Sequence, residues 1–251
     1  MGKKQELREK RKRQQRINRL APIGLITLGA ILVASLFIWS QYKPVGAVVI
    51  PTPNARPQAD FNNMGDPNAP VKIVEYADFQ CPFCARFHDQ TEELIVRNYV
   101  EAGKVYFTYR SFGNWVSDGA GGRNSESEDS AAAAYCAGDQ GKFWEYHDIL
   151  YANQNGENIG DYSIRRLKAF ADQLGLDATE FASCLDSNKY ADAVKQDNLD
   201  GIADSKAAPN YDPNGNYGTP TFFVNGTLIS GAQSYETFQQ AIDAALATAT
   251  P

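Results

Sequence analysis

The stretch Val71-Lys72-Ile73-Val74-Glu75-Tyr76-Ala77-Asp78-Phe79-Gln80-Cys81-Pro82-Phe83-Cys84 decides how the chain is read. Val71 to Tyr76 is a short, mostly apolar run with β-branched residues, the pattern of a buried strand. From Cys81 the spacing changes, and Phe83, Phe87, Leu94, Ile95 and Tyr99 recur at helical intervals up to about Ala102. The two cysteines therefore mark the place where a strand gives way to a helix. That junction puts Cys81 on the first helical turn, where unpaired N–H groups and the helix dipole favour a thiolate. Pro82 fits the first helical position because its missing N–H would have had no partner there, and its ring presets φ. Such a thiolate attacks disulfides. Cys84, one turn on, can then attack the mixed disulfide and release the product.

Two other readings of the pair are weaker. Zinc would want a second close pair of Cys or His, but Cys136 and Cys184 stand 48 positions apart, so no metal is expected. A Cys81–Cys84 bridge of purely structural purpose closes too small a ring to stabilise much. Thiol–disulfide exchange is left, a chemistry that needs no cofactor.

Outward from this core, Lys104 to Phe112 alternates, with Val105, Phe107 and Tyr109 on one face, and predicts a second strand. Gly113 to Ser130, with four Gly and four Ser, reads as a loop. A helical block follows over Ala131–Ala137, Phe143–Tyr151 and Ile164–Leu174, the last closed by Gly175. Asp177 with Glu180 predicts a capping box for a helix through Phe181 and Leu185, and Tyr190 to Ile202 is helical as well. Thr221–Val224, Asn225-Gly226 and Leu228–Ser230 spell a hairpin, since Asn-Gly suits the positive φ of a type I′ turn. Ser234 then caps a last amphipathic helix through Phe238, Ile242 and Leu246. The predicted fold class is α/β, a mixed central sheet flanked by helices, with a helical insertion at about 113–205.

Three motifs in this order give the chain a resemblance: Val71 to Cys84, then Gln140-Gly141-Lys142-Phe143-Trp144-Glu145-Tyr146-His147-Asp148, then Gly218-Thr219-Pro220-Thr221-Phe222-Phe223-Val224-Asn225-Gly226. Over roughly residues 64–248 it resembles the DsbA-like thiol:disulfide oxidoreductases of the thioredoxin-fold superfamily, in the group with a helical insertion. The resemblance implies that Thr219 and Pro220 form a cis-proline loop beside the cysteines. There the proline keeps a backbone N–H off the sulfurs, and the chain around Thr219 pairs with a substrate strand. It also implies that Glu75 is a buried acid beneath Cys84 that carries the proton of that thiol; a solvated strand-edge glutamate is the alternative. Two segments, Phe112–Ser130 and Ser205–Tyr217, are longer than the family pattern. Asp212 to Asn216 has the flavour of a calcium loop, but Tyr217 and Phe223 stand where the turn Gly and closing Glu are needed.

Cys136 and Cys184 are expected to pair as a structural disulfide, because both fall on predicted helices and an oxidising compartment leaves few free thiols; two buried free cysteines are the alternative. Of the two histidines, His88 reads as packing or as a partly exposed polar residue, too far along the helix to activate Cys81. His147 reads as a satisfied core histidine.

Charge divides the chain. Residues 1–43 carry ten Lys/Arg against two Asp/Glu, which leaves a net −14 on the rest. Such an acidic body has no basic footprint for nucleic acid. Nine of the basic residues lie between Lys3 and Arg19, and an uncharged apolar run follows from Leu20 to Ser40. At 1.5 Å per residue that run spans about 31 Å, the thickness of a hydrocarbon core, and is longer than a signal peptide's apolar region. Four regions are therefore expected: a cytoplasmic basic arm (1–19), a single transmembrane anchor in the bilayer (20–41), a Pro-rich tether (42–63), and an extracytoplasmic thioredoxin-like domain (64–251). The expected function is a membrane-anchored oxidase that exchanges disulfides with exported proteins through Cys81 and Cys84 and is recycled by an integral-membrane redox partner. The alternatives are a membrane-fed reductase, for example for apocytochrome thiols, and a non-catalytic binding module. Phe83 adds no charge or side-chain donor between the cysteines, which implies an oxidant of intermediate strength.

Overall fold

The computed structural model describes residues 46–112, 126–214 and 218–249, together with 27–36 and scattered positions nearer the start. The chain divides into two units, Met1–Val45 and Gly46–Pro251. In the first, residues 27–36 are helical and exposed. Most of the basic arm and half of the 20–41 anchor lie outside the described residues, and among the described residues no helix is long and apolar enough to cross a membrane.

The second unit is built on a five-stranded mixed sheet in the order β1-β3-β2-β4-β5. Its strands are β1 (Asn63–Met64), β2 (Val71–Ala77), β3 (Val105–Ser111), β4 (Thr221–Val224) and β5 (Thr227–Ser230). Only β2 and β3 run parallel, with Ile73 opposite Phe107 and Glu75 opposite Tyr109; β4 joins the other side of β2 antiparallel, with Phe222 opposite Glu75. β2 is thus central, and Glu75 has a strand on either side. The β4–β5 hairpin turns through Asn225 at φ 48° and Gly226 at φ 84°, the double positive φ of a type I′ turn. Asn225 also accepts the Lys72 N–H at 2.8 Å, which ties the turn to the start of β2.

Period-two alternation gives β2 two different faces. Val71, Ile73 and Ala77 enter the main core with Phe87 and Ile95 of α1 (Pro82 to Val100) and with Phe238 and Ile242 of α7 (Tyr235–Thr248). Val74 and Tyr76 point the other way, into a smaller cluster with Phe112, Phe223 and Leu228. α6 (Ala191–Ala207) lies over this second face, and Gly201 permits the approach: a Cβ there would sit 2.7 Å from the Phe112 ring. α1 is continuous but uneven, with π-helical turns at His88–Glu92 and Val96–Val100.

The insertion contains α2 (Glu126–Gly138), α3 (Phe143–Ala152), α4 (Ile164–Gln173), α5 (Ala178–Asp186) and α6. α2 begins at Glu126, five residues before the expected Ala131, so the end of the predicted loop is helix. Its first turn carries Glu126, Glu128 and Asp129, acids that suit a helix N-terminus. Glu126 in addition accepts the N–H groups of Gly160 and Tyr162 at 2.9 Å each. α6 likewise continues past Ile202, turning Ser205 to Ala207 of the second long segment into helix. Residues 208–214 of that segment continue as turns and irregular backbone, and 113–125 and 215–217 lie outside the described residues.

Two caps differ from the sequence reading. Asp177 accepts the N–H groups of Thr179 and Glu180 at 2.9 Å, but its own N–H goes to Gln140 Oε1 and not to Glu180, so half of the box is supplied from another element. Ser234 occupies the N-cap of α7 with a hydroxyl that accepts no backbone N–H and bonds the Glu236 carboxylate instead.

The Pro-rich stretch assigned to a 42–63 tether is bonded to the domain well before residue 64. Val49 donates its N–H to Asn153 Oδ1 at 2.9 Å, and its carbonyl accepts from Asn153 Nδ2 at 2.8 Å. An extended, proline-rich backbone leaves such groups free to bond sideways. This strap passes through Asn54 and Arg56 and enters β1.

A disulfide joins Cys136 of α2 to Cys184 of α5, with Cα atoms 5.9 Å apart. Crosslinking residues 48 apart contributes up to about 4 kcal/mol in the chain-entropy model. The double variant Cys136→Ser/Cys184→Ser is therefore expected to lose stability on that scale in urea unfolding; an unchanged midpoint and slope would show that the bridge adds nothing.

Candidate active site

The turn from β2 into α1 is knitted before the cysteines begin. Asp78 Oδ1 accepts the Gln80 N–H at 2.9 Å, and the Asp78 carbonyl accepts the Cys81 N–H at 3.0 Å. The buried Gln80 side chain donates to Ser127 Oγ at 2.7 Å and accepts the Asn158 N–H at 2.7 Å. Tyr162 donates its hydroxyl to the Phe79 carbonyl at 3.0 Å. The insertion thus grips the turn from outside the sheet.

Cys81 is the N-cap of α1, extended at φ −73° and ψ 121°, and Pro82 opens the helix. Phe83 is 53% exposed, with the Arg86 guanidinium 4.9 Å above its ring. Cys84 is wholly buried. Cys81 is only 5% exposed, because the loop before β4 covers it. That loop contains a cis Thr219–Pro220 peptide, and the Thr219 carbonyl accepts a hydrogen bond from Cys81 Sγ at 3.3 Å. Pro220 has no N–H to offer the sulfurs, and its carbonyl is taken by the Gly231 N–H at 2.8 Å.

The two thiols differ in acidity. A hydrogen bond from the Cys84 thiol, working against burial and helped by the Phe83 and Cys84 N–H groups at the helix start, lowers the Cys81 pKa to about 7. Burial, together with the neighbouring Cys81 sulfur and Glu75, pushes Cys84 well above an ordinary thiol. One sulfur is a thiolate near neutral pH and the other a stored thiol.

Glu75 is 1% exposed on the central strand, which leaves no place for a solvated edge residue. Burial and the nearby negative charge of Glu92 raise its pKa well above the usual range, against the opposing charges of His88 and Arg56. Among the described residues its Oε2 has no hydrogen-bond partner.

Sequence reading missed the group behind Glu75. Arg56, from the strap, bonds both Glu92 of α1 and Asp148 of α3. His88 reaches Asp89 at 2.8 Å and Asp148 at 3.3 Å; these bonds overcome burial and raise its pKa to about 10, so of the two readings offered for it the half-buried polar residue holds, here as a cation. His147 bonds Asp148 through Nδ1 at 3.0 Å, and its buried Nε2 faces Glu92 Oε2 at 3.7 Å, beyond hydrogen-bond reach. His88, His147 and Asp148 bring ligand-type atoms within 4.8 Å of one another. The Arg56 guanidinium already supplies the positive charge that Asp148 and Glu92 need, and no metal site is assigned.

A protein-family model described as thioredoxin matches residues 60–244. The chain belongs to the thioredoxin family. Among curated thioredoxin-family relatives, it is 30% identical over 192 residues to a provisionally named protein-disulfide oxidoreductase of Rickettsia conorii, a match covering 75% of this chain and 62% of that protein. It is 32% identical over 183 residues to a Na(+)/H(+) antiporter of Salinispora arenicola, covering 73% of this chain and only 24% of the antiporter. In solved structures the same fold occurs in oxidised BdbD from Bacillus subtilis, with a TM-score of 0.61, 21% identity, and coverage of 77% of this chain and 97% of that one. It occurs also in alpha-DsbA1 from Wolbachia pipientis, with a TM-score of 0.60, 19% identity, and coverage of 84% and 96%.

The acidity difference gives a direct expectation. In the reduced protein, alkylation of Cys81 should rise through a midpoint near pH 7, while Cys84 should stay unmodified until the fold is lost. Mass mapping of the alkylated sites at stepped pH reads both; equal labelling of the two thiols would contradict the geometry.

Proposed function

We propose that the chain is a thiol:disulfide oxidoreductase that works as an oxidase of exported proteins. The observation that carries the reading is the acidic Cys81 at a helix N-terminus, beside a buried, protonated Cys84 and under the Thr219–Pro220 loop. In the oxidised enzyme a substrate thiolate attacks Cys81 Sγ, the Cys81–Cys84 bond breaks, and Cys84 leaves with the electron pair and takes up a proton from Glu75. A second substrate thiolate then attacks the substrate sulfur of the mixed disulfide and expels Cys81 as a thiolate. The substrate gives up two protons to solvent as its thiols ionise, loses two electrons and gains a disulfide; the enzyme is left with Cys84 as a thiol and Cys81 as a thiolate, and a proton from solvent reloads Glu75. A low pKa at Cys81 makes it a good leaving group in the second step and favours the oxidising direction. The Thr219 backbone, beside the sulfur, is placed to pair with an extended substrate.

The Cys136–Cys184 disulfide supports an oxidising compartment, and with the basic arm and apolar run it favours a catalytic domain held outside the cytoplasm by residues 20–41. An integral-membrane partner that removes electrons from the Cys81–Cys84 dithiol completes the cycle. Ion transport is not carried over, because the matched region is a quarter of the antiporter.

Trapping tests the reading. Full-length Cys84→Ser, expressed in cells, should accumulate mixed disulfides with exported proteins, and Cys81→Ser should accumulate none. Purified oxidised protein should introduce disulfides into a reduced, unfolded substrate. Adducts confined to cytoplasmic proteins would overturn the topology, adducts without oxidation of the substrate would assign a reductase, and no Cys81-dependent adduct would leave a binding module.

A further inference from the structure

On the face of the sheet covered by α6 lies a cavity that the exchange chemistry does not use. It measures about 170 Å³ and is bounded by Phe112 at the end of β3, by Ile202 and Ser205 of α6, and by Tyr211. Gly218 and Thr221, which bracket the Thr219–Pro220 peptide, close it on the side of the cysteines. Ile202 is 39% exposed and Lys206, in the same wall, is exposed, so the cavity opens to the surface along α6. Its floor depends on Gly201, since a Cβ there would stand 2.7 Å from the Phe112 ring and 2.8 Å from the Tyr76 ring.

The lining offers little to a polar guest. Ser205 donates its hydroxyl to the Gly201 carbonyl at 2.7 Å, and Thr221 donates its own to the Gly218 carbonyl at 2.6 Å. Phe112 and Tyr211 pack in the apolar cluster of this face with Tyr76 and Phe223. A polar group seated here would give up water for few partners, whereas an apolar one gains by leaving water. A dry apolar cavity of about 150 Å³ takes up benzene, so this volume suits one leucine or phenylalanine side chain. The position matters as much as the size. Gly218 is the neighbour of Thr219, whose carbonyl lies 3.3 Å from Cys81 Sγ. A substrate strand paired at that backbone advances about 3.3 Å per residue, which brings a residue close to its cysteine over the cavity.

We propose that this cavity is a substrate subsite, which receives one apolar side chain lying within about three residues of the cysteine that attacks Cys81. The inference rests on the oxidoreductase reading for the engagement of that cysteine, but the seating of the side chain can be read without exchange. Folded proteins bury large apolar side chains, and unfolded ones leave them open to a partner. A cavity for such a side chain beside the sulfurs therefore selects polypeptides that have still to fold, and among their cysteines those with an apolar neighbour.

Paired peptides test this. Oxidised full-length protein is given reduced peptides with one cysteine, in which a single leucine or serine occupies in turn each of the three positions on either side. The ratio of kcat/KM, leucine over serine, should reach about tenfold or more at one placement. It should fall towards one in Ile202→Ser and in Ser205→Leu, which fills the cavity; a general loss of exchange cancels in the ratio. Leu199→Ser, exposed on α6 but outside the cavity, should keep the original ratio. Apart from exchange, the Ile202 δ1-methyl resonance, assigned by its loss in Ile202→Ser, is followed with the leucine peptides carrying serine in place of cysteine. It should shift with one of them and not with their all-serine counterpart. A ratio near one at every placement, or a ratio that survives in either folded cavity variant, would overturn the proposal. A methyl shift without any exchange would count against the oxidoreductase reading alone, and the lack of both would overturn the two together.

Discussion

The placement of Cys81 at the N-cap of α1 and of Cys84 on its first turn governs the chemistry of this domain, and it exists because the chain passes there from β2 into α1. An N-cap and the third residue of the helix that follows lie on one side of a single turn, so one sulfur reaches the helix mouth while the other is drawn into the core. The same step that exposes Cys81 to N–H groups strips Cys84 of solvent. Both shifts in acidity, downward for the first and upward for the second, thus come from one local geometry. The Thr219–Pro220 loop closes over this pair and leaves a backbone carbonyl, not a donor, beside the sulfur.

Holding that geometry costs buried polar groups, and the insertion and the strap supply their partners. Gln80 is satisfied by Ser127 and Asn158, the Phe79 carbonyl by Tyr162, and Glu92 and Asp148 by Arg56. None of these partners belongs to the strand–helix unit that carries the cysteines. The helical insertion is therefore part of the site's support and not an ornament on the sheet, and the strap reaches the same neighbourhood from the opposite end of the chain.

What could be read from the sequence followed from how local each signal is. β2, β3 and the Asn225-Gly226 hairpin were legible because alternation and turn chemistry are decided by neighbouring residues. The start of α2 was not, since Ser-rich composition suggested a loop while the acids at Glu126, Glu128 and Asp129 were suited to a helix end. The strap was the largest omission. Six prolines between Pro44 and Pro70 look like a tether, and nothing near Arg56 in sequence announces that its partners lie 36 and 92 positions away. For His88 and His147 the sequence could not name the partner they share, because Asp148 is brought to both by the packing of α1 against α3. Glu75 became legible only through family resemblance, because a lone acid in an apolar run does not say whether it lies at the centre or the edge of a sheet.

If stabilisation of the Cys81 thiolate sets the direction of exchange, the reduction potential of the Cys81–Cys84 couple should express it. Equilibrating the full-length protein across a series of glutathione buffers and counting the two thiols at each point yields that potential. A value clearly above thioredoxin's, between about −270 and −120 mV, is what the oxidase reading predicts, whereas a value at or below about −270 mV would contradict it.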